Sequence, residues 1–102
     1  MLQLKRNIMA KVYYLHSCWW EDAYSSCEWI SLEEAIKTLP KICYTQGILL
    51  EKNKDCHIFT MTFQGQDVGE LMVIPSRSIK KLVRHKDSKF ILKDMPYGSF
   101  KD

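Results

Sequence analysis

Residues 43–64 read CYTQGILLEKNKDCHIFTMTFQ, and their pattern sets the fold class. Two runs rich in β-branched and aromatic residues flank Asn53, Lys54 and Asp55, a polar triplet with the composition of a hairpin turn. On the returning run Phe59, Met61 and Phe63 share one face, and Ile58, Thr60 and Thr62 share the other, following the two-residue repeat of a strand. Gly47 marks a bend in the outgoing run, where no side chain packs. Downstream, GQDVG is the next turn, and ELMVIP is a short strand with apolar residues on both faces. Leu71 and Val73 lie on one side of it, Met72 and Ile74 on the other. Pro75 stops that strand, SRS makes a one-turn connection, and IKKLVRH is the last strand. Upstream, KVYYL at 11–15 opens the first strand, which can run on to Trp20. The chain is therefore expected to be mainly β (α+β), with a small five-stranded, strongly bent antiparallel sheet closing into a small barrel.

One short helix is expected over about residues 32–39. Ser31 is placed as its N-cap, and Glu34 three residues later completes a capping box. Leu32, Ala35, Ile36 and Leu39 fall at i, i+3, i+4 and i+7 and form one apolar stripe. Pro40 ends the helix. So short a helix is unstable alone, so the stripe is expected to lie on the sheet.

A chain of 102 residues fits one domain. The hydrophobic share of 46% and charged share of 26% are those of a globular protein. A chain of this size buries about two-thirds of its unfolded surface, which leaves little room for a deep substrate cleft. Its apolar runs stay well short of the roughly 18 residues of a membrane span. The N-terminal MLQLKRNIMAKVYY has a basic centre but lacks the apolar stretch of a secretory signal. Residues 1–10 are expected to be a flexible arm, 11–86 the domain, and 87–102 a tail. Phe90, Tyr97 and Phe100 suit packing of that tail on this subunit or a neighbour. Cys18, Cys27, Cys43 and Cys56 are nine, sixteen and thirteen apart, with no C-x-x-C pair. Together these features point to a reducing cytoplasm and four free, mostly buried thiols.

The net charge is only +3, but its distribution is uneven. From Pro75 to Lys93 there are seven Lys/Arg against one acid, Asp87. This basic run reads either as a solvated edge strand, where lysines block aggregation, or as an anion-binding face. The signatures of catalysis are weak. His16 and Cys18 share a strand face, but the surrounding sequence has no protease pattern. Glu21 and Asp22 are adjacent, so on a strand they diverge and do not converge as an acid–base pair. His16, Cys18 and Cys27 lack the spacing of a zinc site, and no glycine-rich phosphate loop is present. The clearest signal is aromatic: Trp19, Trp20, Tyr24 and Trp29 lie close together in CWWEDAYSSCEW. Trp19 and Trp20 must point to opposite faces of a strand, so one can pack in the core while the other stays outside.

Two stretches carry resemblances. GILLEKNKDCHIFTMTF followed by LMVIPSRSIKKLV resembles the sheet of Sm-like barrels, with a long bent hairpin, a strand, a one-turn link and a short final strand. WEDAYSSCEWISLEEA, followed by the hairpin and VIPSRSIKKL, resembles a set of small uncharacterised bacteriophage proteins. The matching positions are Trp20, Asp22, Ser25, Trp29, Gly47, Ile74, Pro75 and Ile79, within residues 11–85; the helix is short for that pattern. The resemblance implies an Sm-like barrel that pairs fourth and fifth strands between subunits. It also implies a non-enzymatic phage protein in the cytoplasm of the infected host cell, with an anti-defence role as a sponge for a cyclic nucleotide signal. No catalytic residue, metal or cofactor is expected, and no membrane partner. The candidate ligand-binding residues are Trp19, Trp20, Asp22, Tyr24, Ser25, Trp29, Arg77, Lys80 and Lys81. An aromatic ring would stack on a purine, the basic residues would meet phosphate, and Asp22 or Ser25 would read a base edge or ribose hydroxyl. Two alternatives stand beside it: an inhibitor that docks on a host protein, and a binder of single-stranded nucleic acid.

Overall fold

A computed structural model describes residues 11–92. The expected arm at 1–10, and the part of the tail with Lys93, Tyr97 and Phe100, lie outside the described residues. The elements are β1 Val12–Tyr13, β2 Leu15–Asp22, α1 Leu32–Ile36, β3 Lys41–Lys52, β4 Cys56–Thr60, β5 Thr62–Gln64, β6 Asp67–Gly69, β7 Met72–Pro75, β8 Ile79–Arg84 and β9 Phe90–Ile91. The main sheet has five antiparallel strands in the order β7-β4-β3-β2-β8. Among the described residues β7 pairs only with β4 and β8 only with β2, so hydrogen bonding does not close the sheet into a barrel.

The central hairpin forms where its residues dictate. The Asn53 side-chain oxygen accepts from the backbone N–H groups of Asp55 at 2.8 Å and Cys56 at 3.0 Å, an Asx turn. The Ser76 hydroxyl donates to the Asn53 carbonyl at 2.6 Å and tethers the one-turn link after β7 to this turn. Gly47 is required by close approach more than by a bend. A Cβ there would lie 3.1 Å from Met61 Sδ and 3.2 Å from the Thr60 carbonyl oxygen. Gly47→Val is expected to cost about 1–3 kcal/mol, read as a lower midpoint in urea denaturation.

The returning run does not stay one strand. Thr60 is fully buried, and its hydroxyl meets the carbonyls of Thr62 and Gly69. That pin turns the chain at Met61, so β5 leaves the main sheet and pairs with β6 across Gly65, which has φ 60°. Asp67–Gly69, expected as turn, is therefore strand, and Met61 is exposed instead of sharing a buried face with Phe59. The first run divides in the same way. Val12 and Tyr13 pair with Ile91 and Phe90 of the tail. Two cores result. Cys18, Phe59 and Ile74 centre the first, with Trp20, Leu49, Ile79 and Leu82 packed around them. Tyr13, Phe63 and Phe90 form the second, with ring centroids 5.4–5.7 Å apart.

The helix keeps its cap but not its expected seat. Ser31 Oγ accepts from the Glu34 N–H at 3.1 Å. Yet Leu32, Ile36 and Leu39 are 74–80% exposed, and α1 packs on no strand to any significant extent. Residues 22–42 are exposed throughout, so the connection carries α1 beyond the ends of β2 and β3, away from the sheet faces. Trp20, Leu49, Ile79 and Leu82 already surround the first core.

Candidate aromatic and cationic binding face

Alternation along β2 sorts its side chains. His16, Cys18 and Trp20 point to the core side; Ser17, Trp19 and Glu21 point outward. The register places Tyr44 of β3 and Lys81 of β8 on either side of Trp19. The Trp19 and Tyr44 rings are 4.9 Å apart with planes at 54°, and Lys81 Nζ lies 5.2 Å from the indole centroid. The Tyr44 ring is exposed, but its hydroxyl is anchored 2.8 Å from Ser17 Oγ. Ser17 is buried, and its oxygen also meets His85 Nε2 at 2.7 Å. Tyr44 is thus held in orientation by a hydroxyl–imidazole relay beneath it, which lowers the entropy lost when a ligand stacks there.

A bulge between Trp19 and Trp20 leaves Lys80 without a partner residue in the ladder. Lys80 instead reaches Glu21 Oε2 at 3.2 Å, an exposed pair worth little by itself. Trp20 lies on the other side of the sheet; its Nε1–H donates to Thr45 Oγ1 at 3.0 Å and its ring packs on the first core. Asp22 ends β2 and accepts the Ala23 N–H. Tyr24 stacks under Lys41 Nζ at 4.5 Å, away from Trp19. Ser25 is exposed, Trp29 fully so, and Arg77 has no ion-pair or ring partner among the described residues. Of the nine sequence-based candidates, the structure therefore gathers Trp19, Lys81 and Lys80. Tyr44, Ser17 and His85 were not among them, because only strand register brings residues so far apart in the chain to one place.

The Ser17–His85 pair has the composition of a nucleophile and its base. Ser17 is 3% exposed and its oxygen is held by two partners, so an acyl group has no path to it. Of the four thiols expected to be mostly buried only Cys18 is sealed, while Cys43 and Cys56 are half-buried and Cys27 is exposed. Burial pushes the Cys18 thiol up, away from the reactive thiolate. Among the described residues no three His, Cys, Asp or Glu side chains converge as a metal site. No helix among them is long and apolar enough to cross a membrane.

Two histidines resist protonation. Burial lowers His16 most, and Arg84, Lys52 and His85 add repulsion against a backbone hydrogen bond that favours the cation. Burial and Lys52 lower His57. The unfolded chain takes up these protons near pH 6.5, whereas the fold does not until lower pH. Stability is therefore expected to fall as pH drops below about 6.5, because the unfolded state binds more protons there. Urea midpoints at pH 7.5 and 5.5 check this; equal midpoints would contradict it.

Comparison with known proteins gives no matching family model, no matching curated protein and no matching solved structure.

Proposed function

We propose that this chain is a non-enzymatic binding protein that sequesters a small nucleotide, with the outer face around Trp19 as its site. One observation carries the reading: an indole framed by an oriented tyrosine and a lysine on the outer face of the sheet. A purine stacks on Trp19 and Tyr44, and Lys81 and Lys80 meet its phosphates. Sequestration needs affinity alone, so it calls for no nucleophile and no metal. A phage anti-defence sponge for a cyclic nucleotide belongs to this reading through the resemblance described above. So does an Sm-like barrel that assembles into an oligomer. Among the described residues β7 and β8 have no neighbour on their outer sides, which supports assembly, since each then offers a row of backbone groups to another copy. Calorimetry against a panel of cyclic di- and trinucleotides tests the binding, and light scattering tests the assembly. Heat of binding from at least one member and a mass above the monomer are expected. No binding to any member sinks the first claim, and a monomer sinks the second.

A second reading is favoured by the exposed apolar stretch from Trp29 to Ile42, which suits docking on a host protein. A pull-down from host lysate separates the two, because a nucleotide sponge recovers no stoichiometric protein partner. Single-stranded nucleic acid is the third ligand class, and a steep salt dependence with polynucleotides would mark it.

A further inference from the structure

We infer a second anion site, separate from the Trp19 face, that selects inorganic monohydrogen phosphate. It is the cavity of about 180 Å³ between the start of β2, the end of β3 and the end of β8. Lys11, Lys52 and Arg84 line it, together with Tyr14, His16 and the carboxylate of Glu51. Ligand pockets for drug-sized molecules run from about 300 Å³, so this cavity fits a small anion better than a whole nucleotide. Three cations face one carboxylate there, and none of the three has an ion-pair partner among the described residues. Lys11 is positioned by donating to the Leu50 carbonyl at 2.7 Å, with two N–H donors left over. Arg84 Cζ lies 4.6 Å from the Tyr14 ring centroid, a contact that restrains the guanidinium while its N–H groups stay available to an oxygen ligand.

His16 supplies the selectivity. It is 6% exposed, and its Nδ1 lies 3.1 Å from the Tyr14 carbonyl, so Nδ1 carries the hydrogen and donates. In the neutral ring Nε2 is then an acceptor. It has no hydrogen-bond partner among the described residues and is not sealed from solvent, and the ring that carries it lines the cavity. Burial and the positive charge of Arg84 and Lys52 keep the ring neutral. The site thus presents several cationic donors and one neutral acceptor. Monohydrogen phosphate matches this with three acceptor oxygens and one P–OH donor. Sulfate has the same charge and shape but no hydroxyl, so it leaves Nε2 unpaired.

The test is calorimetry of the full chain at pH 7.5 with sodium phosphate and sodium sulfate at matched ionic strength. Phosphate is expected to bind at least about tenfold more tightly than sulfate, the size of one hydrogen bond to a charged group. Lys52→Ala and Arg84→Ala, both at exposed positions, are each expected to weaken phosphate about tenfold. Lys37→Ala, which removes the same charge on α1, is expected to leave it unchanged. Nitrogen NMR of the His16 ring supplies a readout that a packing role would not move: the Nε2 resonance shifts with phosphate and not with sulfate. Equal binding of the two anions, undiminished binding in the Lys52 and Arg84 variants, or no binding of phosphate at all overturns the site. The outcome is independent of the nucleotide reading, since neither Trp19 nor Lys81 takes part.

Discussion

Trp19→Ala is expected to lower nucleotide affinity by about 10- to 100-fold while the fold stands; Trp20→Ala is expected to do the reverse. The two tryptophans are neighbours in the chain, yet they face opposite sides of β2. Stacking of a base on an aromatic ring is worth about 1–3 kcal/mol, and Trp19 is the ring through which Tyr44 and Lys81 are joined into one face. Its removal loses one aromatic contact within the protein, about 1 kcal/mol. Trp20 packs on Cys18, Phe59 and Ile74 and ties its indole N–H to Thr45. Its truncation leaves a cavity and an unpaired hydroxyl, at about 3 kcal/mol. Ligand-induced fluorescence change and urea denaturation, measured on both variants, check the crossing. If the Trp20 variant lost binding with its stability intact, the site would be assigned to the wrong face.

Phe59→Ala is expected to cost about 3–5 kcal/mol, a large share of the stability, and to lower the urea midpoint sharply. Small domains hold only about 5–15 kcal/mol of net stability, and here the first core has few fully buried side chains to share the loss. Phe59 is 1% exposed and lies against the backbone of β3 at Gly47, so neighbours cannot collapse far into the gap. Ile36→Ala is the control. The side chain is 74% exposed on α1, and its loss is expected to change stability by less than about 0.5 kcal/mol. Far-ultraviolet circular dichroism against urea reads both. A large loss in the Ile36 variant would mean that the helix stripe is seated after all.

The sequence made several of these features readable. The alternation of residues 56–60 places Phe59 and the polar triplet places the turn, because both rules act over a few residues. The capping box of α1 is equally local, and it forms as expected. Trp19 and Trp20 had to diverge, but no local rule says which one meets the core. Nor does alternation reveal Tyr44 as the partner of Trp19, since that depends on how β3 slides along β2.

By itself, then, the sequence determined the mainly β character, the hairpin, the one-turn link and the capped helix. Each follows from backbone preferences of neighbouring residues. Tertiary structure decided the rest: the break at Met61, the pairing of β1 with the tail, the exposed seatless helix, and the two faces of β2. These depend on which apolar surfaces find one another across the fold. The buried Thr60 hydroxyl takes its carbonyl partner from Gly69, and Phe63 finds Tyr13 and Phe90. The first core gathers around Cys18, Phe59 and Ile74 without α1, so the stripe of Leu32, Ile36 and Leu39 remains in water. Burial is a property of the assembled sheet, and no pattern within one segment specifies it.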